Sequence, residues 1–255
     1  AATPLLAKGT YTYDKAILHL SPPDEDGYLS YGICCSYFPI SLRETKMVIA
    51  QINENMPRVM GEKIHISEID YIVEASDTLV TVPYVPPTDI EKRIASYVAD
   101  LVEDGSTLQI GLGGVPNAVI SLLEGKRDLG IHSEMISDGV LGLIEKGVIT
   151  NTRKTLEPGK VIVTFILGSE RLYKFVHNNP MVENRGGEYT NDPCVIAKNS
   201  KFVSINAALQ VDLTGQISAE SIGARQISGT GGHLDFVYGA LKAPGGKSII
   251  AISST

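Results

Sequence analysis

An apolar run that ends in three glycines and a proline, Gln109-Ile-Gly-Leu-Gly-Gly-Val-Pro116, does most to narrow what this chain can fold into. Glycine reaches backbone conformations closed to other residues, and proline is tolerated in the first turn of a helix. The segment therefore predicts a strand, a tight turn and a helix, in that order. Free amides in the turn and the helix dipole favour an anion or a developing oxyanion. G-x-G-x-x-P lacks the third glycine of a dinucleotide fingerprint, so a strand-to-helix turn without a ligand stays open.

The same alternation runs through the chain. Short apolar runs predict strands at Ala16–Leu20, Lys46–Ala50, Leu108–Leu112, Val161–Leu167, Phe202–Ile205 and Ser248–Ile252. Thr88-Asp-Ile-Glu91 is a capping box, followed by an apolar stripe at Ile90, Ile94, Val98, Leu101 and Val102, with Gly105 as the C-terminal stop. Further helices are expected from Pro116 to near Gly125, over Gly139–Lys146 and over Arg171–Val176. Strands alternating with helices define an α/β fold with a largely parallel sheet. Val80-Thr-Val-Pro-Tyr-Val-Pro-Pro87 has three prolines and no helical period, which places a linker at 80–88. It separates a first α/β domain, 1–79, from a second, 89–255; a long surface loop within one domain is the competing reading. An internal echo points to two related units. Asp24-Glu-Asp-Gly-Tyr-Leu-Ser30 parallels Asp212-Leu-Thr-Gly-Gln-Ile-Ser218, and Lys46-Met-Val-Ile-Ala50 parallels Lys247-Ser-Ile-Ile-Ala251, in the same order.

Charge and composition exclude several classes of partner. With 22 basic and 29 acidic residues the net charge is −7, and no Lys/Arg cluster stands out, so neither nucleic acid nor an anionic membrane is expected. No apolar run approaches the ~18 residues of a membrane span, and the first residues show no secretory signal. Three cysteines, two of them adjacent, make no disulfide framework and fit a reducing cytoplasm. The five histidines are scattered without metal-ligand spacing, so no metal is expected.

Two further clusters can carry chemistry. Ser228-Gly-Thr-Gly-Gly-His-Leu-Asp-Phe236 offers backbone donors beside an acidic residue; a flexible loop is its bland reading. His132-Ser-Glu-Met-Ile-Ser-Asp-Gly139 follows a short apolar run and precedes a helix, at the kind of sheet edge where open α/β folds bind ligands. A carboxylate there can serve as base or nucleophile, or merely cap the helix. Capping is the better reading for Asp138 and an open alternative for Glu134. Glu220 reads as a spare carboxylate on a solvated or turn position.

Together these segments, with Leu18-x-x-Ser-Pro-Pro-Asp-x-x-Gly-Tyr28 and Asn206-Ala-Ala-Leu-Gln-Val-Asp-Leu-Thr-Gly-Gln216, resemble the acetyl-CoA hydrolase/transferase family, in order from about Ala16 onward. The resemblance implies two related open, largely parallel-sheet units of the CoA-transferase type. It also implies that the chain lacks the start of the first and the end of the second, both being incomplete here. The implied enzyme moves CoA between a short-chain acyl-CoA and a carboxylic acid, of the 4-hydroxybutyrate, butyrate or acetate type, through a glutamyl-CoA thioester. Glu134 matches the nucleophile. Gly111, Leu112, Gly113, Gly114 and Val115 match the CoA-binding loop, and Leu209 and Gly232 further CoA contacts. Coenzyme A is then a substrate, with no tightly bound cofactor, and the family assembles into homo-oligomers. His233 departs from the glutamine usual in the family, which bears on acyl specificity. The alternatives are an acyl-CoA hydrolase using the same site, or a non-catalytic CoA- or dinucleotide-binding module.

Overall fold

The computed structural model describes residues 6, 8–83, 85–111 and 113–253. The chain divides into two compact units. The first takes the chain up to Pro83, then Met135–Asp138 and Lys160–Thr190; the second takes the chain onward to Glu134, then Gly139–Gly159 and the part from Asn191 on. The sequence predicts a second domain unbroken over 89–255. Strand pairing is the reason for the difference: Val161–Val163 pairs in parallel with Val182–Asn184, which in turn pairs with Met60–Gly61.

In the first unit, β1 (Lys15–Leu20), β2 (Met47–Ile52) and β3 (Tyr71–Glu74) form a parallel sheet in the order β1-β2-β3. Alternation along β1 buries Leu18 and Leu20 and leaves Ile17 exposed, as expected of a strand covered on one face. Leu18, Leu20, Leu29, Tyr31, Val48, Ala50 and Ile64 make its core. The expected strand over Val161–Leu167 is interrupted, because the Thr164 carbonyl accepts the Cys35 and Ser36 N–H groups instead of a ladder partner.

The second unit opens with α1 (Asp89–Asp100). Thr88 accepts from the Glu91 N–H and Glu91 answers the Thr88 N–H, completing the capping box. The helix stops at Asp100, short of the expected Gly105, and buries Ala95, Val98 and Ala99 while Ile90 faces solvent. Four strands then build one parallel sheet: β4 (Thr107–Ile110), β5 (Gly130–Ile131), β6 (Phe202–Ala207) and β7 (Lys247–Ala251), in the order β7-β6-β4-β5. All four residues of β4 are buried, as in a sheet covered on both faces. Helix α2 (Gly114–Leu122) follows β4, two residues ahead of the Pro116 start expected for it, and α3 (His233–Lys242) precedes β7. Phe236 and Ala240 of α3 pack on Phe202 and Ile196.

The internal echo is a repeated turn. Asp24 Oδ1 accepts the N–H groups of Asp26 and Tyr28 at 3.2 and 2.8 Å; Asp212 Oδ1 accepts those of Thr214 and Gln216 at 2.8 and 2.9 Å. Gly27 and Gly215 take φ of 83° and 86°, the left-handed conformation that both turns require. The repeated strands also correspond: β1 pairs in parallel with β2, and β6 with β7.

Candidate active site

The chain leaves β4 toward β5 on one side and later places β6 on the other. The carboxyl ends of β4 and β6 therefore flank a topological switch point, where open α/β sheets form their ligand crevice. The glycine turn leaves β4 at this point. The Gly111 N–H donates to the Ile205 carbonyl at 2.8 Å, and a Cβ on Gly111 would meet Asn206 Oδ1 at 3.0 Å. Gly113 adopts φ 128° and ψ 172°, open in practice only to glycine, and α2 starts at the next residue. Gly114 lies against the Glu91 carboxylate, so the start of α2 already faces an anionic side chain. Val115 is buried in the first turn. Leu112 lies outside the described residues.

Beneath the turn lies a buried polar network that no sequence motif announces. Gln109 Nε2 donates to Asn206 Oδ1 at 3.0 Å, while the Ser204 hydroxyl and the Asn206 amide donate to Gln109 Oε1 at 2.6 and 3.0 Å. Register explains it: Ser204 stands opposite Gln109 on paired strands, and Asn206 projects two residues on, from the same face. Satisfied buried polar groups of this kind fix a local arrangement.

Glu134 reaches the same edge. The pairing of β4 with β5 continues through the His132 N–H to the Leu108 carbonyl at 3.1 Å, and the Ile110 N–H points at Ser133 Oγ at 3.4 Å. Two residues of extended chain beyond β5 thus deliver Glu134 level with the start of the glycine turn. Its carboxylate is partly buried, and Oε2 accepts a long hydrogen bond from the Gly232 N–H at 3.3 Å. The Asn191 side chain stands on the same spot: a Cβ on Gly232 would strike both Asn191 Nδ2 and Glu134 Oε2. Burial pushes the Glu134 carboxyl above its ordinary range; the Asn191 amide and the Gly232 N–H pull it down, and Asp235 pushes it up. Asn191 is 4% exposed, and neither its Nδ2 nor its Oδ1 makes a well-formed hydrogen bond.

The second glycine cluster meets the carboxylate at one residue: Gly229–Gly231 are exposed, whereas Gly232 is buried against Glu134. Leu209 follows β6 at the crevice edge, 39% exposed, its N–H held by the Ser218 carbonyl. Asp138 accepts the Ser169 N–H at 2.8 Å and so holds the start of the helix Glu170–Val176, not its own as expected. Glu220 does occupy a turn, the bend between Ile217–Ser218 and Ser221–Ile222, but it is not simply solvated: its Oε2 is buried without a hydrogen-bond partner among the described residues. Asn191 carries no signal in the sequence, since a lone asparagine between Thr190 and Asp192 matches no motif.

A carboxylate lifted toward protonation by burial, with the Gly232 N–H and the Asn191 amide turned to it on the rim of a switch-point crevice, is a candidate reactive group of an open α/β protein. Comparison with known proteins gives the family. Residues 3–86 match the acetyl-CoA hydrolase/transferase N-terminal domain and residues 168–255 its C-terminal domain; the chain belongs to the acetyl-CoA hydrolase/transferase family. It is 53% identical over 95% of its length to the 4-hydroxybutyrate coenzyme A transferase of Clostridium kluyveri, and spans 57% of that relative. Among solved structures, RipA from Yersinia pestis superposes with a TM-score of 0.88 at 41% identity, over 98% of this chain and 56% of that one. A 4-hydroxybutyrate CoA-transferase from Porphyromonas gingivalis also superposes with a TM-score of 0.88, at 42% identity, over 97% and 60% of the two chains. Among the described residues no helix is long and apolar enough to cross a membrane.

Proposed function

We propose that this chain carries the catalytic carboxylate of a CoA-transferase that moves CoA between a short-chain acyl-CoA and a carboxylic acid, with Glu134 as the covalent nucleophile. The observation that carries the reading is the partly buried Glu134 carboxylate with the Gly232 N–H on Oε2 and the Asn191 amide beside it.

The chemistry follows from that arrangement. The Glu134 carboxylate attacks the thioester carbonyl; the C–S bond breaks, CoA leaves as thiolate, and an acyl-glutamyl anhydride remains. The thiolate attacks the glutamyl carbonyl and expels the acyl carboxylate, leaving a glutamyl-CoA thioester. An incoming carboxylate reverses both steps. Each attack builds an oxyanion, and the attacks on the glutamyl carbonyl build it where the Gly232 N–H and Asn191 Nδ2 now face Glu134 Oε2. Donors fixed in a low-dielectric site stabilise that charge without reorganising. The turn Gly111–Val115, with Leu209 and Gly232, is assigned to CoA. Glycine at 111 and 113 leaves the backbone open to close approach, and binding of the CoA handle remote from the thioester drives the chemistry. Free cysteines at 34, 35 and 194 support a reducing, cytoplasmic setting, and the family resemblance supports a homo-oligomer.

The test is mass spectrometry of the full-length protein after exposure to acyl-CoA and borohydride. The wild type gains a reduction mark at residue 134, and Glu134→Gln stays unmarked and loses transfer. A mark on Asp138 or Glu220, or transfer retained by Glu134→Gln, refutes the assignment. Thioester loss without an acceptor acid, at the rate seen with one, makes the protein a hydrolase instead.

A further inference from the structure

Ile131 closes β5 and precedes Glu134 by only His132 and Ser133. β5 lies at the edge of its sheet, with β4 as its strand partner. Along a parallel strand, alternate residues turn their N–H and carbonyl groups to opposite sides. Gly130 and His132 therefore face β4, and their N–H groups donate to the Ser106 and Leu108 carbonyls at 2.9 and 3.1 Å. Leu129 and Ile131 face the outer edge, where buried backbone groups must find other partners.

Those partners come from residues 148–154. The Leu129 N–H donates to the Val148 carbonyl at 2.9 Å, and the Leu129 carbonyl accepts the Thr150 and Asn151 N–H groups at 3.1 and 3.0 Å. At Ile131 backbone gives way to side chains. Asn151 Oδ1 accepts the Ile131 N–H at 2.8 Å, and Lys154 Nζ donates to the Ile131 carbonyl at 2.9 Å. Asn151 is fully buried and Lys154 is 4% exposed. The stem of Lys154 lies across Gly130, where a Cβ would collide with Lys154 Cγ. Asn151 takes φ 59°, a left-handed conformation that asparagine and glycine hold most readily.

Taking an ammonium out of water is costly, and an apolar side chain of similar length would fill the same space without that cost. What the apolar residue lacks is a donor for the Ile131 carbonyl. Past His132 the bonds lengthen: the Ile110 N–H stands 3.4 Å from Ser133 Oγ, and the Gly232 N–H 3.3 Å from Glu134 Oε2. The grip on Ile131 thus anchors the outer edge of the segment that carries the carboxylate. Resting on the transferase reading, we propose that Asn151 and Lys154 are positioning residues for the reaction: a two-point side-chain clamp that takes the place of a further strand at Ile131 and holds Glu134 in the geometry for attack. Neither residue needs to touch substrate, since both act through the backbone from Ile131 to Glu134. The glycine turn is held from the other side of β4, by the Ile205 carbonyl on the Gly111 N–H, so loss of the clamp slows attack and spares CoA binding.

The experiment compares the full-length wild type with Lys154→Met, Asn151→Gly and Asn151→Asp. Lys154→Met keeps the stem and loses the donor. Asn151→Gly keeps the left-handed backbone and loses the acceptor, and Asn151→Asp keeps both. Rapid-quench mass spectrometry reads the rate of the glutamyl-CoA adduct on residue 134, calorimetry reads CoA affinity, and amide hydrogen exchange reads residues 131–134. Lys154→Met and Asn151→Gly are expected to slow the adduct by about tenfold to a hundredfold, the scale of a misplacement approaching ~1 Å. CoA affinity should stay at the wild-type value, exchange over 131–134 should quicken, and Asn151→Asp should recover most of the rate. Wild-type adduct rates in Lys154→Met and Asn151→Gly overturn the proposal. So does CoA affinity that falls in step with the rate, or Asn151→Asp as slow as Asn151→Gly. If Lys154→Met fails to fold, the two Asn151 variants decide by the same criteria. A wild type that forms no adduct with any acyl-CoA overturns the transferase reading and the positioning role with it, whereas unchanged exchange in the variants overturns the clamp itself.

Discussion

Gly232→Ala tests the carboxylate site through one methyl group. Gly232 has φ −90° and ψ 5°, open to alanine without backbone strain, so the substitution acts through contacts. The new Cβ would lie 2.6 Å from Glu134 Oε2 and closer still to Asn191 Nδ2, where ordinary contacts begin at 3.4 Å. The carboxylate and the amide must each retreat by up to about 1 Å, and a misplacement of ~1 Å at a reacting group costs on the order of a hundredfold in rate. We expect formation of the glutamyl-CoA adduct to slow by about tenfold to a hundredfold, equivalent to about 1.4–2.7 kcal/mol of barrier. Alanine is a poorer N-cap than glycine, so α3 loses about 1 kcal/mol at most, too little to unfold a domain of this size. Rapid-quench mass spectrometry reads the adduct rate, and thermal unfolding reads the stability. Wild-type adduct kinetics in Gly232→Ala would show that Glu134 and Gly232 do not act as one site.

Glu134→Gln should also unfold at a higher temperature than the wild type near pH 8. Burial raises the folded-state pKa of this carboxyl, so its ionisation costs stability as pH rises; the gain should vanish below the ordinary glutamate pKa of ~4.3, and a constant difference across pH would refute the cause. Asn191→Leu removes the amide that faces Glu134 while keeping the volume, so the Glu134 carboxyl should move further above its ordinary range and transfer should fall by about tenfold to a thousandfold; intact transfer with an unmoved carboxyl titration would take Asn191 out of the site. Gly113→Ala, forced to φ 128°, should lose about 1–3 kcal/mol of stability and weaken CoA binding; unchanged CoA affinity in calorimetry would remove this turn from the CoA site.

The residues that local rules govern are legible in the sequence. A capping box satisfies its own backbone groups, so Thr88 and Glu91 announce α1 wherever it packs. Glycine at 113 announces a conformation no other residue holds comfortably. Glu134 is legible as a candidate because it follows a strand at the carboxyl edge. What escapes depends on partners far along the chain. Asn191 reaches a carboxylate 57 positions earlier only after both segments fold, and the Gln109–Ser204–Asn206 network exists only once register sets two strands side by side. For Glu220 the turn position is legible and the burial of Oε2 is not, since no short-range pattern tells a buried carboxylate oxygen from a solvated one. Extending α1 to Gly105 fails at a boundary, where the apolar stripe outlasts the helix and Val102 is buried without being helical.

The repeated aspartate turn bears on how the site came to occupy one unit. Asp24 and Asp212 organise matching turns, with the same two amide bonds and the same left-handed glycine, so the turn is scaffold common to both halves. The segments beyond the two turns diverge. After Asp24 the chain runs into Tyr28–Ser30, which pairs with Lys63–His65 and leads back into the core through Leu29. Asp212 lies in the turn of a short hairpin, Gln210–Val211 with Ile217–Ser218; a second, Ser221–Ile222 with Arg225–Gln226, follows, and the chain then delivers Gly232 to Glu134. A segment stabilised by hairpin hydrogen bonds instead of core packing can change sequence without unfolding its unit. That freedom falls on the segment that carries Gly232 to the Glu134 carboxylate.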